Sequence, residues 1–340
     1  MRRVAFFIGL IGIAVSACRK EDSSAPAVTP ESAVLQVPAG FPQPEIPADN
    51  ALTPLRIALG KRLFYDPVLS RDSTLSCASC HKQSLAFADS ATTSPGIAGR
   101  PGTRNAPSLA NVAYQKRLLS EGGVPTLEMQ VLVPVQEHNE FDFNILYIME
   151  RLERIPEYVD LSWQAYGRKP DPFVITRAIS AFERTLFSGD SPFDQWHFQG
   201  KSRALSADAQ RGLALFNSER LGCNNCHAGF LFTNQEFANN GLYETYADPG
   251  RMRLTGLESD RAVFKIPSLR NIAVTAPYMH DGSLKSLDAV IDHYQTGGKL
   301  HPNKSKALRP FTLTTRERQD LLAFLNSLTD LTFLQNPDLH

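Results

Sequence analysis

The chain has 340 residues, enough for about two domains, and its 35 Lys and Arg are matched by 35 Asp and Glu. That balance excludes the basic excess of a nucleic-acid binder and leaves no acidic interaction tail. Hydrophobic residues make up 42% of the chain, so each half can bury a core.

The N-terminus reads as an export signal over residues 1–17. Arg2 and Arg3 form a positive start and Val4 to Ala17 an apolar stretch too short for a membrane span. Val15-Ser16-Ala17-Cys18 has the pattern of a bacterial lipobox, in which Cys18 is lipidated; the alternative is a signal peptide with an incidental cysteine. Residues 18–47 are rich in Ser, Ala, Pro and Glu and are expected to be a flexible tether. Of five cysteines, four lie in two short motifs and Cys18 is the fifth. None remains for a disulfide, despite the oxidising compartment that export implies.

Thr53-Pro54 opens a helix carrying Leu55, Leu59 and Leu63. After it comes Cys77-Ala78-Ser79-Cys80-His81, the attachment pattern of c-type haem. The two thiols add to the haem vinyl groups, and the adjacent His becomes an axial iron ligand. A lone Cys-x-x-Cys can also be a redox pair or half a zinc site. Here the pattern recurs as Cys223-Asn224-Asn225-Cys226-His227, which points to two covalent haems with His81 and His227 as axial ligands.

The opposite face of each iron decides function. No histidine lies between His81 and His138, and Met129 and Met149 sit in apolar helical contexts that suit core packing. The first haem is therefore expected to be five-coordinate with an open pocket. Peroxide bound there needs a proton shuttle. Glu140 is the candidate general base and acid, with Gln130 orienting the substrate. Gln130 falls late in a helix that Pro134 is expected to end, and Glu140 lies in the following loop. A solvated surface role for Glu140 stays open at this level.

Asp171-Pro172 starts a second helix with Ile175, Ala178, Phe182 and Leu186 on one face. A break near Trp196 to Ala204 divides a domain at 48–198 from one at 199–340. Ser206 caps the helix bearing Leu213 and Phe216. Ser286 and Gly297 bracket a helix with Leu287, Ile291 and Tyr294 on one face. A buried Tyr there is either a core residue or a phenolate ligand to iron. Thr314 with Glu317 forms a capping box ahead of Leu321, Leu322, Leu325 and Leu328.

Two pairs of segments recur in the same order. Gly60-Lys61-Arg62-Leu63-Phe64 parallels Gly212-Leu213-Ala214-Leu215-Phe216, and Pro107-Ser108-Leu109 parallels Pro267-Ser268-Leu269. This is the mark of internal duplication. The expected fold is mainly α, with two cytochrome c-like domains, each enclosing one covalent c-type haem among long loops.

Several segments resemble the bacterial di-haem cytochrome c peroxidase and MauG family. They include Leu63-Phe64-Tyr65-Asp66, Arg104-Asn105-Ala106-Pro107-Ser108-Leu109, Pro134-Val135-Gln136 leading to Glu140, and Ala181-Phe182-Glu183-Arg184. In the second half, Lys265-Ile266-Pro267-Ser268-Leu269-Arg270-Asn271 and Thr275-Ala276-Pro277-Tyr278-Met279-His280-Asp281-Gly282 extend it. The resemblance implies a peroxidatic haem in the N-terminal domain and an electron-transfer haem in the C-terminal one. It implies Glu140 and Gln130 in the distal pocket. It also implies a calcium ion between the domains, bound by Asn105 and the backbone carbonyls of Thr275 and Pro277.

The sequence departs from ordinary members in three places. The loop around Ser94 to Gly99 lacks their displaceable distal His, so the first site should accept peroxide without reductive activation. Tyr294 stands where they carry a Met ligand, which matches the MauG pattern and should lower the second haem's potential, with Met279 as the competing ligand. Leu119-Ser120-Glu121-Gly122-Gly123 lacks the Trp that commonly lies between the haems.

Two functions then compete. One is a periplasmic, lipid-anchored peroxidase that reduces hydrogen peroxide with electrons from a small cytochrome c or cupredoxin. The other is a MauG-like oxidase that uses peroxide to oxidise a partner protein through high-valent haem. A third, a simple di-haem electron carrier, needs a second strong ligand opposite His81.

Overall fold

The computed structural model describes residues 35–340; the export signal, Cys18 and the tether up to Val34 lie outside the described residues. Five helices carry the architecture, and each begins where a side-chain cap allows it. Thr53 caps α1 (Pro54–Tyr65), accepting from Arg56 N at 3.3 Å. Asp171 caps α2 (Pro172–Glu183), accepting from Val174 N at 2.8 Å. Ser206 caps α3 (Ala207–Phe216) and Ser286 caps α4 (Leu287–Gln295). The reciprocal bonds of Thr314 and Glu317 start α5 (Thr315–Asn326). Proline at the first turn of α1 and α2 costs no hydrogen bond, because those amides have no partner inside the helix.

The helices cross in two equivalent pairs. At Gly60 a Cβ would stand 1.8 Å from the Ala178 carbonyl oxygen, so α1 meets α2 backbone to backbone. At Gly212 a Cβ would stand 1.9 Å from the Asp320 carbonyl oxygen, and α3 meets α5 in the same way. Phe64 packs on Phe182 at 5.2 Å between ring centroids, and Phe216 on Phe324 at 5.1 Å. The duplicated Gly-x-x-Leu-Phe text is thus a crossing device: glycine admits the partner helix and phenylalanine fills the space beside it.

Buried apolar residues gather into two clusters. Leu63, Phe64, Phe87, Ile148, Ile175 and Phe182 build the first. Phe193, Phe216, Phe232, Ile291, Phe324 and Leu328 build the second. Phe333 and Leu339 belong to the first cluster, although they follow α5. Residues 331–340 therefore return to the N-terminal half, where Tyr65 Oη donates to Leu339 O at 2.7 Å and Gln83 Nε2 to Asn336 O at 2.8 Å.

The two halves exchange hydrogen bonds reciprocally. The turns Leu118–Val124 and Tyr278–Leu284 are closed by the same antiparallel bridge, with Leu119 at φ +66° and Met279 at φ +76°. Asn105 N donates to His280 O at 2.9 Å, and Lys265 N donates to Ser120 O at 2.7 Å. Each half thus pins the turn of the other. Asn111 and Asn271 sit in equivalent buried positions, both bonded to Ser188: Asn111 Nδ2 to Ser188 O, and Asn271 Nδ2 to Ser188 Oγ. The only strands among the described residues, β1 (Phe237–Ala238) and β2 (Phe264–Lys265), form one short antiparallel pair.

Three local expectations need correction. The tether does not run free to Pro47: Phe41 is 9% exposed, lies edge-on to Phe230 at 4.8 Å and carries Arg270 over its ring. Leu55 is 45% exposed, so the buried face of α1 begins at Leu59. Pro134 does not end the helix holding Gln130. The helix breaks at Val131, and Pro134 lies inside a new segment, Leu132–Gln136. Proline's missing amide leaves the Gln130 carbonyl without its intrahelical donor, while its fixed φ suits a first turn.

Candidate haem-binding and catalytic site

Both attachment motifs are built the same way. Cys77–Cys80 forms one helical turn, capped by Ser76 and Ser79, and His81 N donates to Cys77 O at 3.0 Å. His227 N donates to Cys223 O at 2.9 Å. His81 Nδ1 donates to Phe87 O at 2.8 Å, and His227 Nδ1 to Phe232 O at 3.0 Å. Ser108 and Ser268 of the duplicated Pro-Ser-Leu text hold the adjoining carbonyls, Ala86 O and Leu231 O, each at 2.6 Å. A carbonyl can only accept, so the ring proton stays on Nδ1 and Nε2 keeps its lone pair for a metal. Burial holds both imidazoles below their ordinary pKa, hence neutral.

The four described cysteines are free. Burial pushes all their thiols up, Cys223 to about 11. No group of three His, Cys, Asp or Glu side chains converges as a chelating cluster among the described residues. Paired neutral thiols beside an imidazole with a free Nε2 are the donor set of covalent c-type haem, and the residues fit that group.

Glu140 lies within electrostatic reach of the first motif. Its charge acts on both Cys77 and Cys80. The Glu140 side chain is exposed, yet the protein packed around it, helped by the nearby charge of Glu137, lifts its carboxyl above the usual carboxylate range. The loop without histidine packs against it: Ile97 N donates to Glu140 O at 3.0 Å, and the Ile97 side chain is 1% exposed. Gln130 ends its helical turn half-buried, and no hydrogen bond joins its side chain to Glu140. Glu183 was not singled out as a site residue from sequence. It is 5% exposed, its Oε2 has no partner, and its charge acts on Cys77. Burial pushes its carboxyl up to about 8. The one available signal was an acid at the end of a largely apolar helix that also carries Arg177.

At the second motif, Tyr294 lies near enough to feel Cys226 and Cys223. Burial pushes its phenol up to about 12, and Asn240 pulls the other way. Asn240 Nδ2 also donates to Met279 Sδ at 3.1 Å. Asn240 carries no sequence signal, since its place follows only from the fold. Asn105 Nδ2 donates to Ala91 O at 3.0 Å, and its backbone N donates to His280 O at 2.9 Å, in the segment that follows Thr275 and Pro277.

Residues 54–203 match the family model described as di-haem cytochrome c peroxidase. The chain is 40% identical to the methylamine utilization protein MauG of Methylorubrum extorquens, over 85% of this chain and 83% of that protein. It belongs to the di-haem cytochrome c peroxidase and MauG family. This di-haem peroxidase is an oxidoreductase acting on peroxide, with two c-type haems. It is also 34% identical to the cytochrome c551 peroxidase of Pseudomonas aeruginosa, over 80% of this chain and 78% of that one. A solved MauG-like protein associated with microbial copper homeostasis superposes with a TM-score of 0.87 at 34% identity, covering 91% of this chain and 99% of that one. The diheme peroxidase BthA from Burkholderia thailandensis, 24% identical with a TM-score of 0.73 and covering 90% of this chain and 95% of its own, shares the fold.

Proposed function

We propose that this family member reduces hydrogen peroxide to water at the first haem, using electrons that a small periplasmic cytochrome c or cupredoxin delivers through the second. Bound haem supplies the iron that takes up peroxide and holds oxidising equivalents. Glu140 takes a proton from one peroxide oxygen and returns it to the other, so that O–O cleavage releases water. The observation that carries this reading is the Glu140 carboxyl within electrostatic reach of Cys77 and Cys80, with its proton affinity raised. A carboxyl in the usual range returns a proton poorly near neutrality; a raised one serves in both directions. Gln130 orients the peroxide.

A MauG-like oxidation of a partner protein is the second reading. Tyr294 beside Cys223 and Cys226 favours it, because an anionic oxygen ligand stabilises oxidised iron and slows electron entry. In either reading, calcium bound by Asn105 with the carbonyls of Thr275 and Pro277 ties the halves together. The site of action is the periplasmic side of a bacterial cell envelope, with lipid on Cys18 as anchor.

Low-temperature electron paramagnetic resonance of the oxidised holoprotein tests the reading. One high-spin and one low-spin haem supports an open first site. Two low-spin haems would assign an electron carrier instead.

A further inference from the structure

We propose that Asn240 decides which side chain the second haem iron takes, by holding the Met279 thioether away and leaving the position to Tyr294. The inference rests on reading Tyr294 as the ligand. Two candidate ligands lie near Asn240: its amide donates to Met279 Sδ at 3.1 Å, and it also acts on the Tyr294 phenol. A thioether is a weak acceptor and a ligand through the same lone pairs, so a sulfur held by an N–H is drawn from the metal.

The amide is held in this orientation. Leu242 N donates to Asn240 Oδ1 at 3.2 Å, which leaves Nδ2 to face Met279 and Tyr294. The backbone is anchored on both sides. His293 Nε2, on the helix that carries Tyr294, donates to Asn240 O at 3.0 Å. Asn239 Nδ2 donates to Ala262 O at 2.8 Å, and Lys299 N to Gly241 O at 2.7 Å. Met279 sits in a turn closed by Tyr278 N to Leu284 O at 2.7 Å, with its backbone at φ +76°. The equivalent turn of the first half has Leu119 at φ +66°, a side chain with no donor atom. The duplicated turn thus brings a ligand-capable sulfur to the second site alone, and Asn240 is the group that engages it. Asn240 is a positioning residue: it acts on iron only through Met279 and Tyr294.

The test uses oxidised holoprotein with both haems attached, comparing wild type, Asn240→Leu, Asn240→Asp, Asn240→Leu with Met279→Leu, and Tyr294→Phe. The readouts are the sulfur-to-iron charge-transfer band and the reduction potential of the second haem. Loss of the amide donor is expected to produce the band and shift the potential upward, and adding Met279→Leu should abolish the band and reverse most of the shift. Asn240→Asp keeps the size, removes the donor, and serves if the leucine variant does not fold. A spectrum and potential unchanged in both Asn240 variants would overturn the proposal, as would an upward shift that survives Met279→Leu. A second haem indifferent to Tyr294→Phe would instead overturn the ligand reading beneath it.

Discussion

Gly96 lies against Glu140: a Cβ on Gly96 would stand 3.0 Å from the Glu140 Cα and 1.8 Å from the Asn139 carbonyl oxygen. The loop without a distal histidine is therefore a support for Glu140, the proposed acid–base residue. Gly96→Ala should push the Glu140 segment away and lower kcat/KM for peroxide with haem content retained. Displacements of about 1 Å at a catalytic group cost about 100-fold. Full activity in this variant would detach the loop from the pocket.

Glu140→Gln removes the proposed proton shuttle but keeps the side-chain size. Peroxide turnover should fall by about 10²–10⁴-fold, the usual contribution of a positioned acid–base group, with both haems still attached. In the wild type, kcat/KM should rise with pH through an ionisation above the ordinary carboxylate range, because the base must be ionised and burial raises its pKa. That limb should vanish in the variant. Stopped-flow profiles against pH check both points.

On the proposed reading of Tyr294 as a phenolate ligand, Tyr294→His exchanges an anionic oxygen for a neutral nitrogen. The second haem's potential should rise, and donor oxidation should quicken if electron entry limits turnover. A redox titration identical to wild type would leave Tyr294 as a core residue.

Gly60→Ala and Gly212→Ala each drive a methyl into a carbonyl of the crossing helix. The relief must come from separating the helices, so each variant should lose at least about 1–3 kcal/mol, the usual cost of overpacking. Denaturant midpoints measure this. A neutral result at both would mean that the crossings are looser than the structure has them.

Glu183 gives stability a pH dependence of defined sign. Its carboxyl is raised from 4.5 to about 8 by burial, so the folded protein prefers it protonated. Its favourable contribution is complete below about 4.5 and is lost as pH rises through about 8. Glu183→Gln keeps the neutral shape and should remove this fall, leaving the variant more stable than wild type above that pH. Thermal midpoints across the range decide it.

The readable parts of the sequence were the local ones. Thr53, Asp171, Ser206, Ser286 and Thr314 cap helices through bonds that span three residues, and their side chains declare them. The Cys-x-x-Cys-His motifs are equally local. The return of Phe333 and Leu339 to the first core was hidden, because a short apolar tail has no pattern naming its partner. Phe41 was hidden likewise: the Pro and Gly around it mark a tether, and the Tyr114, Phe198, Phe230 and Arg270 side chains packed on it come from far along the chain. The place of Asn240 depends on its bond to Met279, a residue far along the chain, and asparagine before glycine reads as an ordinary turn.

The central claim is an open first haem served by Glu140 and ready without activation. The measurement that tests it most directly is peroxide-dependent oxidation of a reduced small cytochrome c by the as-isolated, fully oxidised protein. Multiple turnovers without a lag and without pre-reduction are the predicted result. No donor oxidation until the protein is first reduced would contradict it.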